Sequence, residues 1–282
     1  MGKREVPIFL FNGFLESGKT TMVRRMLENP ELTNGQKILL LVCETGMEEY
    51  DAAWCEKKNV SLVEFEEEQD YMHADFADLD KRFAPACVIV EFNGMWNPET
   101  MLTVSYPKCW LIAQIMTLCN SETFTNYYTN MRQLTAGQMK LTDLVVYNRF
   151  SDSYDKFAFR SAAKAQNMRA QVIFEYPDGI IDAEFDASPF DLSKNIIEIK
   201  EEDFPTWYFD VMDHAEKYDG KIIKTLCRVA HLSDPQQKGF VMGRHVMTCC
   251  ENDIQFMGVY CINDMNFEDE SWMLLTGKVQ AA

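Results

Sequence analysis

The chain has 282 residues, 47% of them hydrophobic, which is enough for one large or two moderate domains with real cores. Its 44 acidic residues outnumber 27 basic ones, for a formal charge of -17, which argues against a nucleic-acid binder and against attraction to anionic lipid. No apolar run approaches the roughly 20 residues that span a bilayer, and "MGKREV" leads into a strand-length run rather than an export signal. The expectation is a cytoplasmic protein with no membrane span of its own.

Up to about residue 180, apolar strand-like runs alternate with helical patterns. They are "VPIFLF", "KTTMVRRMLEN", "KILLLVC", "ACVIVEF", "CWLIAQIMTL", "LTDLVVYN", "FAFRSAAKAQN" and "AQVIFEY". Continuous Val, Ile and Leu runs fit strands buried on both faces of a mostly parallel sheet with helices on each side, an α/β fold. Residues 181–204 are acidic and irregular, and read as a linker. From 205 to 282, "TWYFDVMDHAEKYDG" reads as one helix closed by Gly220, followed by four short strands. That count suits a small, mostly β, OB-like domain.

"GFLESGKT" puts Gly13, Gly18, Lys19 and Thr20 in the G-x-x-x-x-G-K-[ST] pattern between a strand and a helix. The glycines let consecutive N–H groups turn inward on phosphate oxygens, and Glu16 and Ser17 complete the loop. Lys19 supplies charge over the β and γ phosphates, Ser17 and Thr21 add contacts to them, and the Thr20 hydroxyl suits Mg²⁺. A second metal-side carboxylate is expected at a neighbouring strand end, where Glu91 closes "ACVIVEF" with Gly94 three residues on. Lys19 and Glu91 are thus the candidate catalytic residues. Glu44, at the end of another strand in "LVCETGMEE", is either a switch-like carboxylate or a plain strand end.

On the base side, guanine-specific P-loops carry Asn-Lys-x-Asp after a late strand. Here "LTDLVVYN" ends in Asn148-Arg149-Phe150-Ser151, with Asp152 one place late. Asn148 and Arg149 can face a purine, while the acidic reader of the base is missing.

Together "GFLESGKTT", "CETGMEEYD", "VIVEFNGMWNP" and "RQLTAGQMKLTDLVVYN" resemble the CobW/HypB/UreG class of P-loop GTPases, and its CobW-like branch most closely. That branch carries GFLGAGKTT, NEFGEIGID, ETTGLADP and Gln-x-x-x-ADxVVLNKxD at these places. The resemblance spans roughly residues 5–180. It implies hydrolysis of GTP, with ATP as the alternative, together with Mg²⁺. It also implies a role in metal homeostasis as a metallochaperone, delivering zinc, cobalt or nickel to a metal-dependent client protein. The family's Cys-x-Cys-Cys metal motif is absent; its region holds Cys55 and an acidic run with Asp70 and His73, read as a solvated face or a mixed-ligand site. The tail resembles the soluble C-terminal domain of a permease accessory subunit, which implies a membrane permease as the other partner.

Nine cysteines, an odd number, suggest free thiols, with Cys43, Cys87, Cys109 and Cys119 expected in the core. Cys249-Cys250, too close in the chain for an unstrained disulfide, are either core thiols or thiols with a redox or transition-metal (Zn²⁺) role. His245 is their nearest partner, and Cys261 or Asp253 would complete the set.

Overall fold

The computed structural model describes residues 4–30, 35–44, 46, 50–183, 188–232, 238–247, 254–263, 265 and 267–281. By its contacts the chain divides into two compact units: Met1–Tyr154 with Arg169–Glu184, and Asp155–Met168 with Phe185–Ala282. The helix Lys156–Gln166 therefore groups with the second unit, although the chain up to Tyr154 and from Arg169 to Glu184 groups with the first.

In the first unit, β1 (Val6–Asn12), β2 (Ile38–Val42), β3 (Val60–Glu64), β4 (Cys87–Glu91), β5 (Trp110–Asn120), β6 (Leu144–Asn148), β7 (Gln171–Glu175) and β8 (Ile181–Asp182) form one sheet. Its order is β3-β2-β4-β1-β5-β6-β7-β8, parallel throughout except for the last pair. Strand β2, "ILLLV", is buried at all five positions, as a strand with both faces covered must be. Because strand side chains alternate, Leu39 and Leu41 join Val88, Val90, Tyr71 and Phe76 on one face. Ile38, Leu40 and Val42 face the other way, onto Val23 and Leu27 of the helix Lys19–Glu28.

The acidic run is solvated on one side only. Glu68 and Asp70 open the short helix Glu68–Met72, while Tyr71, the next residue after Asp70, is fully buried. Of the four strand cysteines expected inside, Cys43 and Cys119 are buried, whereas Cys87 and Cys109 are half-buried.

In the second unit, β9 (Ile196–Ile199), β10 (Ile222–His231), β11 (Phe240–Met247), β12 (Ile254–Cys261) and β13 (Trp272–Lys278) form a separate sheet, with β9 parallel to β10. The pairings run β12-β11-β10-β13, and among the described residues none joins β12 to β13 to close a barrel. The single helix expected before β10 is broken. Phe204–Asp213 stops at His214 (φ −138°, ψ 49°), and Ala215–Tyr218 follows as a separate turn. The cause is tertiary: the Tyr218 hydroxyl donates to buried Asp210 at 2.5 Å. A straight helix would separate residues eight apart by about 12 Å.

Among the described residues no helix is long and apolar enough to cross a membrane.

Candidate functional site

Parallel strands deliver their carboxyl ends to one edge, and in the first unit five of these ends converge. Phe11 and Val42 both lie in register with Glu91, Asn12 with Thr117, and Asn120 with Asn148. Ligands of open α/β sheets bind at this edge, where helix amino termini also point.

The loop after β1 depends on its glycines. Gly13 sits at φ +135°, and a Cβ there would fall 2.3 Å from the Leu118 carbonyl oxygen. Gly18, at φ +94°, opens the helix Lys19–Glu28 without a capping side chain, which leaves the first turn of N–H groups to an outside acceptor. The Gly13 N–H donates to Asn12 Oδ1 at 2.7 Å. A third close approach is Gly94, where a Cβ would lie 2.1 Å from the Gly13 oxygen. Gln138 Nε2 donates to the Gly94 carbonyl at 2.8 Å and fixes that turn.

Lys19 is 3% exposed, and its ammonium donates to Gly13 O (2.7 Å), Phe14 O (2.9 Å) and Glu44 Oε2 (2.5 Å). Three donors thus meet three acceptors, one of them anionic, at the place where phosphate oxygens would sit. Beside it, the Thr20 hydroxyl donates to Glu91 Oε1 at 2.6 Å and the Tyr50 hydroxyl donates to Glu91 Oε2 at 2.5 Å. Burial pushes the Glu91 carboxyl above its ordinary value; the bonds from Thr20 and Tyr50 and the charge of Lys19 pull it down without cancelling the burial. Burial and the adjacent Glu91 likewise raise the Tyr50 phenol. The resulting cleft of about 280 Å³ is lined by the loop and by Glu44, Glu91, Asn120, Glu122 and Arg149.

On the base side, Asn148 Nδ2 donates to Ser17 O at 2.6 Å, and Arg149, at φ +49°, donates from its guanidinium to Glu16 O at 3.0 Å. Both residues brace the phosphate loop. Phe150 turns into the core, Ser151 occupies the place of the acidic reader, and Asp152 Oδ1 accepts the Tyr176 hydroxyl at 2.9 Å.

The sheet therefore gathers Gly13, Glu16, Ser17, Gly18, Lys19, Thr20, Thr21, Glu44, Glu91, Asn148 and Arg149 around one loop and cleft. Tyr50, Asn12 and Gln138 belong with them and were not singled out by the sequence; Gln138 could have been, since it is the glutamine of the Gln-x-x-x-ADxVV run.

The transition-metal candidates are not assembled in this way. Cys249, Cys250 and Asp253 lie outside the described residues. His245 is exposed, its Nδ1 3.9 Å from Glu270 and its ring edge-on to Phe256. The Cys261 thiol contacts the Val259 carbonyl, and His73 Nδ1 pairs with the Gln69 carbonyl at 2.8 Å. Among the described residues no group of three or more His, Cys, Asp or Glu is disposed to hold a metal ion.

Residues 7–174 match the CobW/HypB/UreG nucleotide-binding domain, and residues 183–282 match the DUF1980 C-terminal domain. Among solved structures, zinc-bound YjiA GTPase from E. coli is 14% identical, with a TM-score of 0.47 over 92% of this chain and 90% of that one. Hydrogenase maturation factor HypB from Archaeoglobus fulgidus is 16% identical, with a TM-score of 0.41 over 62% and 82% respectively. Scores this low bear no functional weight. No curated protein matches the chain. The match over residues 7–174 covers more than half the sequence and coincides with the loop, strand ends and cleft just described, so the chain belongs to the CobW/HypB/UreG nucleotide-binding family.

Proposed function

We propose that this protein is a cytoplasmic GTPase that binds Mg²⁺-nucleotide in the cleft and uses hydrolysis as a switch, controlling the delivery of a zinc- or cobalt-type metal to a client protein. One observation carries this reading: the Thr20 hydroxyl and the Glu91 carboxylate lie 2.6 Å apart beside the buried Lys19 ammonium, at the opening of an uncapped helix.

The residues present fit a triphosphate and its metal. Among the described residues the Ser17 hydroxyl is buried without a hydrogen-bond partner, so a ligand oxygen would satisfy it. Gly13 and Gly18 keep the backbone open where Cβ atoms would close it. Thr20 and Glu91 are both oxygen donors of the kind Mg²⁺ takes. When bound, Mg²⁺ neutralises phosphate charge and polarises the transferring phosphoryl group. The chain's own contribution is positional. Lys19 exchanges Glu44 for phosphate oxygens, Ser17 and Thr21 hold phosphates, and Glu91 orients the metal side. Asn148 and Arg149 keep the loop closed against the base edge.

A second reading, a slowly hydrolysing adaptor that regulates a membrane permease, draws support from Ser151 at the acidic reader's place and from the DUF1980-type C-terminal domain. The experiment is to purify the protein without chelator, identify bound nucleotide and metal by mass spectrometry, and follow phosphate release from GTP with and without zinc. Zinc-stimulated multiple turnover supports the switch and rules out the adaptor. Binding of nucleotide without turnover reverses that choice, and no binding refutes both.

A further inference from the structure

Glu91 is 3% exposed, so its two carboxylate oxygens depend on protein partners rather than bulk water. Each has one: Thr20 on Oε1 and Tyr50 on Oε2. Thr20 belongs to the loop motif. Tyr50 comes from a different segment, 41 residues before Glu91 in the chain.

Tyr50 is itself held on two sides. Its ring lies 5.6 Å from the Arg24 guanidinium and 6.0 Å from the Trp54 ring, and Arg24 also covers Trp54 at 5.4 Å. The next residue, Asp51, caps the helix Ala52–Lys57 by accepting the Trp54 N–H at 2.9 Å. Ring packing and a capped helix therefore fix where the phenol points.

We infer that Tyr50 is a positioning residue for the metal-side carboxylate: its hydroxyl occupies Glu91 Oε2 and thereby presents Oε1 to the Thr20 hydroxyl and to the magnesium of a bound nucleotide. The inference rests on the proposed function. Without the hydroxyl, Oε2 loses its bond and the carboxylate can rotate away from Thr20. The metal then has to order Glu91 as well as bind it, and the loss appears in metal affinity rather than in nucleotide affinity itself.

The test compares wild type with Tyr50→Phe, which keeps the ring between Arg24 and Trp54. A fluorescent GTP analogue is titrated at a series of Mg²⁺ concentrations and in chelator. One charge-assisted hydrogen bond corresponds to roughly a tenfold rise in the Mg²⁺ concentration needed for half-maximal tightening. Affinity in chelator should stay within about twofold. An unshifted Mg²⁺ midpoint overturns the role of Tyr50 while leaving nucleotide binding intact. An equal loss with and without Mg²⁺ marks a merely structural effect and also overturns it. If wild type binds no nucleotide under any condition, the proposed function fails first and this role fails with it. Tyr50→Ala, which removes the ring too, should lower the melting temperature as well as shift the midpoint; a lower melting temperature without a shift counts against the inference.

Discussion

The phosphate side and the base side of the cleft share one sheet edge, yet they are built to different standards. On the phosphate side Lys19 has three acceptors and Glu91 two donors, while among the described residues the Ser17 hydroxyl and Asn12 Nδ2 are buried without a partner. On the base side the two motif residues that remain, Asn148 and Arg149, are turned back onto the loop, and Asp152 is engaged by Tyr176. Under the proposed function, the contrast separates a side that gathers charged and oxygen groups around Lys19 from a side where Ser151 stands at the acidic reader's place.

Four experiments would break or sharpen that contrast. Lys19→Ala should have the largest effect, weakening GTP and ATP alike by more than about 100-fold, because two or more charge-assisted phosphate contacts are lost at once. Equilibrium titration checks it, and an effect confined to one base would erase the division between the two sides. Gly94→Ala comes next. Its Cβ would lie within 2.8 Å of three backbone atoms of Gly13 and Phe14, so the loop must shift. Overpacking of this kind costs about 1 to 3 kcal/mol, and denaturant unfolding should register it together with weaker nucleotide binding.

Ser151→Asp addresses the base side alone. Restoring an acid there should raise the preference for GTP over ATP about tenfold while leaving Mg²⁺ dependence unchanged, as competition titration would show. The smallest effect is shared by both sides. Burial pushes Cys119, beside the base-side strand, up to about 12, and Cys87, on the Glu91 strand, up to about 11. In the folded chain these thiols stay neutral above 9.0, where the unfolded chain already releases its protons. Their contribution to stability is therefore present below that value and lost as pH rises toward about 11. Urea midpoints should fall by the equivalent of about 1 kcal/mol per thiol between roughly pH 8 and pH 10.

How much of this was legible in the sequence follows from how local each feature is. The loop is written in eight consecutive residues, and backbone geometry leaves those glycines little choice. Glu91 is legible because a continuously apolar strand must end at the ligand edge. The gap at Ser151 can also be read directly, as a departure from a four-residue pattern. Gln138 is legible as the glutamine of the Gln-x-x-x-ADxVV run, but its bond to the Gly94 carbonyl, 44 residues away, is not, and Tyr50 reaches Glu91 across 41 residues through a contact that only the folded sheet creates. The break at His214 is hidden for the same reason: helix periodicity continues through it, and the buried Asp210–Tyr218 bond overrides it. The strands β8 and β9 are hidden because each is short and β9 alternates exposed and buried residues inside an acidic stretch; β3 is as long as β2, but "VSLVE" is neither continuously apolar nor buried throughout.

The most direct test of the central claim is a titration of GTP and ATP into the wild-type protein in Mg²⁺, repeated in chelator. The account predicts that both nucleotides bind, that chelation weakens both, and that GTP leads ATP by less than the roughly 10- to 150-fold that a charge-assisted base contact provides. Binding that ignores Mg²⁺, or a GTP preference beyond that range, would contradict it.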